Sequence, residues 1–259
     1  ALSACDYSPA ANVGTLKFKV FKIGRADCIV LRTASHTVVI DAGEEDDGAE
    51  IVSYLKEHKI TTVDKLIITH FDSDHIGGAA ALLDYAAVGE VLIPSYTKGS
   101  STYRRFATAM ETAGIQPTAL TEKLTFELDR TQYTVYPPAR SSYPNNEDNE
   151  YSLIVGITHG ENRFLFAGDA LTERLREFTA LDEGKYDFLK VSNHGDYFEG
   201  VEAFSQAVSP TYAVITCSDK NPADARTVAA LEAVGARVYL TRNGSVKVTS
   251  DGQTISVLQ

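Results

Sequence analysis

The sequence has no apolar run near the roughly 20 residues that a bilayer-spanning helix needs, so no segment reads as one. Its three cysteines, Cys5, Cys28 and Cys217, are too few and too odd in number for a disulfide framework. There is no low-complexity segment and no short-period repeat, which excludes solenoid and array architectures. Positive charge is in deficit: 24 Lys and Arg stand against 35 Asp and Glu, for a net charge of −11 and an isoelectric point near 5.0. A sequence-independent nucleic-acid binder is usually basic, so nucleic acid is disfavoured as a partner. A hydrolase that meets phosphodiesters through metal ions is not excluded by this balance. Histidine is scarce as well, with six in 259 residues.

What the chain does have is core-forming material. It is 44% hydrophobic, and no boundary divides it convincingly. Residues 1–14 read as a tether and 15–259 as one domain. Cys28 (in DCIVL) and Cys217 (in AVITC) lie in strand-like apolar runs and are expected to be buried thiols. Cys5 follows Leu2-Ser3-Ala4, and LSAC resembles the lipobox of bacterial lipoproteins. On that reading the protein is exported and anchored on the extracellular face of a membrane through lipid on Cys5. The other reading is a chance four-residue match in a cytoplasmic protein.

Hydrophobic periodicity predicts strands first, then strands alternating with helices, and then the same order again. Strands are expected in 16–24, 27–33 and 36–43, a helix in 48–58, a strand in 63–70, a helix in 77–87, a strand in 89–94 and a helix in 101–114. A strand pair follows in 123–138 and another in 150–170, then a helix in 171–181 and a strand in 186–195. Beyond lie further helix-strand alternation and a closing hairpin with its turn at Asn243-Gly244. Two mixed sheets packed face to face with helices outside would bury such strands.

The chemistry gathers at strand ends. THFDSDHIGG (69–78) packs His70, Asp72, Asp74 and His75 directly behind the apolar run LII. Burying two carboxylates and two imidazoles is costly unless something positive sits among them. In an extended loop, alternate residues face opposite ways. His70 and Asp72 would therefore face one point, and Asp74 and His75 a second. Imidazole with carboxylate is a ligand set for zinc, iron or manganese, and two such points make a two-metal hydrolase site. Three more strand ends carry suitable groups: Asp41 in VVIDAG, Asp169 in FAGDA and His194 in VSNHG. Helix N-termini also attract acids, but that explains DSDH alone better than the whole set. His36, His58 and His159 sit in polar surroundings and are expected to be exposed.

The ordered set VVIDAG, THFDSDHIGG, FAGDA and VSNHG resembles the metallo-β-lactamase superfamily, whose signature is HxHxDH with later Asp and His ligands. The resemblance runs from about Leu16 to the C-terminus. Within the superfamily it is most similar to the hydrolase domain of ComEC competence proteins, through Asp72, KIGRADC (22–28), NEYSLIV (149–155) and LKVSNHGD (189–196).

The resemblance implies an α/β fold, the four-layer αββα sandwich of two mixed β-sheets flanked by helices. It implies one or two divalent ions, Zn2+ or Mn2+, with His70 and Asp72 on the first, Asp74, His75 and His194 on the second, and Asp169 bridging. Asp41 would orient the metal loop. The implied nucleophile is a metal-bound water or hydroxide, with Asp74 taking its proton. The chain departs from the family where Asn149 and Ser152 stand in place of a third histidine for the first metal, and where Asn193 replaces the first residue of HHG. Apart from the resemblance, position alone leaves two readings for each of three residues: Lys190 buried against the acidic cluster or on an ordinary surface, Tyr197 lining a substrate pocket or on an ordinary surface, and Arg104 beside Lys98 as a phosphate clamp or the solvated basic face of a helix start.

The implied reaction is hydrolysis of a small-molecule or polymeric phosphoester, with a membrane contacted only through lipid on Cys5. A lactonase or amidase of the same fold, or a non-catalytic surface module with a decayed metal site, are the alternatives.

Overall fold

The computed structural model describes residues 13–144 and 147–259. Cys5 and the LSAC motif lie outside the described residues, as does most of the tether. The first half of the chain builds β1 (Leu16–Val20), β2 (Ile29–Arg32), β3 (Thr37–Ile40), α1 (Gly48–Glu57), β4 (Thr62–Ile67), α2 (Ser73–Ile76), α3 (Ala79–Tyr85), β5 (Ala87–Pro94), α4 (Ser101–Thr112) and β6 (Thr118–Leu120). The second builds β7 (Leu124–Leu128), β8 (Thr131–Tyr136), β9 (Ile154–His159), β10 (Asn162–Phe166), α5 (Thr172–Thr179), β11 (Phe188–Lys190), α6 (Val201–Val208), β12 (Tyr212–Ile215), α7 (Ala225–Ala233), β13 (Arg237–Leu240), β14 (Val246–Ser250) and β15 (Ile255–Leu258).

Among the described residues these strands form an eight-stranded sheet, β15-β14-β1-β2-β3-β4-β5-β6, and a seven-stranded one, β13-β12-β11-β10-β9-β8-β7. Both are mixed. In the first sheet β3 to β6 run parallel, and in the second β10 to β13 do. Alternation assigns each strand's two faces. Leu16, Phe18 and Val20 of β1 point between the sheets and meet Phe164, Phe166 and Phe188 of the other sheet. Phe18 sits edge-on to all three rings at 5.0–5.6 Å. The outer face of the first sheet packs Val30, Val39 and Leu66 against Ile51, Leu55 and Leu82 of the helices. The outer face of the second packs Leu165 and Leu189 against Leu175, Phe178, Phe204 and Leu231. The result is the four-layer αββα sandwich. Cys28 and Cys217 are buried free thiols within it, and burial pushes the Cys28 thiol well above its ordinary pKa.

Two expectations need correction. Asn243-Gly244 is not a hairpin turn. β13 pairs parallel with β12 in one sheet, whereas β14 pairs antiparallel with β1 in the other, so the dipeptide sits in a connection between sheets. The closing hairpin joins β14 to β15, and its turn is at Asp251–Thr254, where Asp251 Oδ1 accepts from the backbone N–H groups of Gln253 and Thr254. His159, expected to be exposed, is fully buried and bonded through Nδ1 to Ser250 Oγ at 2.8 Å. His36 and His58 are half-buried, against Asp64 and the Tyr54 carbonyl.

Candidate metal centre

Parallel strands deliver their following loops to one edge of each sheet, and ligands gather outside such carboxyl ends. That is where the predicted residues lie. Asp41 follows β3, His70 to His75 follow β4, Asp169 follows β10 and His194 follows β11. Asp72 is extended, and Ser73–Ile76 then make one helical turn, α2, so Asp74 and His75 project from helix and not from extended chain. The loop is pinned from below. Asp27 N–H donates to the Asp74 carbonyl at 3.0 Å and Ala42 N–H to the His75 carbonyl at 2.7 Å. Gly77 and Gly78 let it approach that closely. A Cβ on Gly78 would lie 2.3 Å from the Ala42 carbonyl oxygen, and one on Gly77 2.3 Å from the Glu45 nitrogen.

Four donors converge. His194 Nε2 is 3.1 Å from both Asp74 Oδ2 and Asp169 Oδ2. His75 Nε2 is 3.4 Å from Asp169 Oδ1 and 3.9 Å from Asp74 Oδ2. One ligand atom from each of the four lies within 4.8 Å of the others. His75 Nε2 and Asp169 Oδ1 are buried without a hydrogen-bond partner. The far sides of the imidazoles are held. Asp41 Oδ2 bonds His75 Nδ1 at 2.8 Å, while its carboxylate accepts the Thr69 N–H and hydroxyl, each at 2.7 Å. Thr216 Oγ1 bonds His194 Nδ1 at 2.9 Å and donates to Asp27 Oδ1 at 2.6 Å. Such outer partners fix ring orientation and tautomer in metal sites. Asp41, Asn193 and His194 adopt left-handed backbone conformations, with φ of 57°, 45° and 51°, that non-glycine residues rarely hold unless their surroundings over-determine them.

Charge makes the same point. Asp27, Asp41, Asp74 and Asp169 crowd this pocket, and among the described residues the buried ammonium set against them is Lys190, which contacts Asp27 and lies 3.6 Å from Asp169. Burial pushes Lys190 down, but Asp27 and Asp169 outweigh it and hold it above its ordinary pKa. Burial opposes charge on His194 too, yet Asp169 and Asp74 raise it to about 9. Asp169 is driven the other way: burial raises it, and the two histidines take it well below the usual carboxylate range. An excess of buried negative charge, with unpartnered donor atoms at its centre, fits a divalent cation held by Asp74, His75, Asp169 and His194.

The remaining predicted residues are placed differently. His70 is buried with Nε2 unpartnered, 3.6 Å from Asp72 Oδ2. Neither joins the four-residue group. Ser152 Oγ accepts the Asp169 N–H at 3.2 Å, so it positions a ligand. Asn149 Nδ2 reaches Asn193 Oδ1 at 3.5 Å. Tyr197 is engaged locally, its hydroxyl on Glu202 and its ring under Arg226 at 4.0 Å. Arg104 is exposed and bonds the Gly99 carbonyl, closing the start of α4. The sequence alone does not mark Asp27, Thr216 or Asp148, although Asp27 stands within KIGRADC. Asp27 precedes its strand, and Thr216 is an ordinary residue at a strand end, so neither carries a local signal.

A four-layer αββα sandwich with histidines and aspartates at the carboxyl ends of both sheets is the arrangement of the metallo-β-lactamase fold. The family model for the Metallo-beta-lactamase superfamily matches residues 22–218, and the chain belongs to that superfamily. Two curated relatives are Recombination protein 2 of Haemophilus influenzae, 31% identical over 67% of this chain and 20% of its own length, and ComE operon protein 3 of Bacillus subtilis, 27% identical over 66% and 22%. The chain thus spans about a fifth of the length of these relatives. Among solved structures, the metallo-beta-lactamase fold protein YhfI of Bacillus subtilis superposes with a TM-score of 0.62 at 11% identity, covering 90% of this chain and 99% of its own.

Proposed function

We propose that this chain is a metal-dependent hydrolase of phosphoric esters, phosphodiesters in particular. The observation that carries the reading is the buried convergence of Asp74, His75, Asp169 and His194, with two donor atoms left unpartnered. A divalent ion held there would act as a Lewis acid and lower the pKa of a water.

The chain's own groups divide the remaining tasks. Asp74 is the most exposed of the four, with 21% of its side chain accessible, so it meets an incoming water. Burial raises its carboxyl, but His194 and His75 hold it below the usual range, so it is ionised at neutral pH and offers an acceptor oxygen that would orient such a water. Asp41 and Thr216 keep the two imidazoles aimed inward. Lys190 and Ser152 hold Asp169 from its other sides.

An anionic substrate is supported by two part-exposed cations at the rim. Arg25 forms a two-point pair with Asp196 at 2.9 and 2.6 Å, and Lys98 bridges Asp72 and Asp148. Likeness to a relative named as a recombination protein supports a phosphodiester over other esters. The test is a panel of bis-nitrophenyl phosphate, a simple lactone and nitrocefin with Mn2+ or Zn2+. Turnover of the phosphodiester is expected, falling about 10²–10⁴-fold in Asp74→Ala. Turnover of the lactone alone would overturn the assignment.

A further inference from the structure

The superfamily pattern has two metal points, and in this chain they are unequal. Asp72 presents Oδ2 toward His70 Nε2, but its Oδ1 is taken by the ammonium of Lys98. Lys98 lies beyond the carboxyl end of β5, on the edge where the other loops collect. Its other partner is Asp148, which lies in the same 3-10 turn as Asn149. The segment that would carry the missing third histidine therefore supplies an anion to a lysine. Its neighbours are engaged elsewhere, Asn149 with Asn193 and Ser152 with Asp169. Among the described residues, His70 and Asp72 join no group of three metal-capable side chains whose donor atoms lie within 4.8 Å of one another. The two halves also differ in charge. Lys98 offsets Asp72 and Asp148 at the first point, whereas the second keeps its excess of buried carboxylate.

We propose that Lys98 stands in for the first metal ion, so that the centre takes one divalent ion and uses a fixed ammonium as its second positive charge. This rests on the metal-dependent reading above. Lys98 then serves the side of the substrate that a second ion would neutralise, with a remaining N–H available to a phosphoryl oxygen. His70, buried with a free Nε2, is the relict of the two-metal arrangement.

Metal stoichiometry tests the idea without any substrate. Chelator-stripped protein is titrated with Mn2+ and read by native mass spectrometry and calorimetry, for the natural chain, Lys98→Arg and Lys98→Ala. Lys98 is a quarter exposed at the rim, and circular dichroism checks that each variant folds. We expect one equivalent for the natural chain and for Lys98→Arg. Lys98→Ala should take two, with the second lost again when His70→Ala is added. Two equivalents in the natural chain, or one in Lys98→Ala, would overturn the substitution while leaving a metal-dependent hydrolase standing. No uptake by any of the proteins would remove the metal reading itself, and this inference with it.

Discussion

At His75 only one ring nitrogen has a hydrogen-bond partner. Nδ1 is bound by Asp41, and Nε2 is left facing Asp169. Asp41→Asn should therefore keep the fold but cost 10–100-fold in Mn2+ affinity by calorimetry, the usual effect of losing a carboxylate behind a ligating imidazole. An unchanged affinity would show that Asp41 merely ties β3 to Thr69. At His194 the sign of a pH effect follows from its raised pKa of about 9 in the metal-free chain. A proton held there stabilises the metal-free fold fully below the unfolded histidine value of about 6.5 and is lost as pH rises through about 9. The metal-free protein should lose stability across that window in urea titrations. Metal must displace the same proton, so metal affinity should rise over the same range. Reading residues alone points to His70, Asp169 and His194 because each closes an apolar run, and to Asp72, Asp74 and His75 because they follow directly on the first; of these the structure brings Asp74, His75, Asp169 and His194 together, while His70 and Asp72 stay outside that group. Asp27 escaped because nothing marks an acid in a loop before a strand as buried; only the opposite sheet, through Lys190 and Thr216, defines what it does.

Between elements, the Gly77-Gly78 pair sets how closely the metal loop rests on the loop after β3. Gly78→Ala drives a Cβ to 2.3 Å from the Ala42 carbonyl, whereas a Cβ on Gly99 meets nothing within 4 Å. The first change should cost about 1–3 kcal/mol or more in urea denaturation and weaken metal binding with it, and Gly99→Ala should stay within about 0.5 kcal/mol. Most elements were legible from periodicity, because strands buried on alternate faces must alternate. Two features were not legible, for different reasons. Asn243-Gly244 carries a hairpin signal, yet β13 and β14 belong to different sheets, and a dipeptide cannot report which sheet its flanking strands join. α2 was likewise hidden inside an apparent loop, since a helix of only four residues shows no periodicity.

For the whole molecule, two sheets must hold their carboxyl ends in register for His75 and His194 to meet. Phe18 crosses that interface to three phenylalanines of the opposite sheet. Phe18→Ala should cost about 3–5 kcal/mol by denaturation. The sandwich was legible because its halves share one pattern. The absence of a third histidine near Asn149 and Ser152 already sets the first metal point apart in the sequence, but the pairing of Lys98 with Asp72 and Asp148 was not legible, because it joins segments far apart in the chain. The central claim is that Asp74, His75, Asp169 and His194 hold a divalent ion, and anomalous diffraction from Mn2+-soaked crystals tests it most directly. The account predicts a single strong peak among the Nε2 atoms of His75 and His194 and the carboxylates of Asp74 and Asp169. A peak elsewhere, or none there at saturating Mn2+, would contradict it.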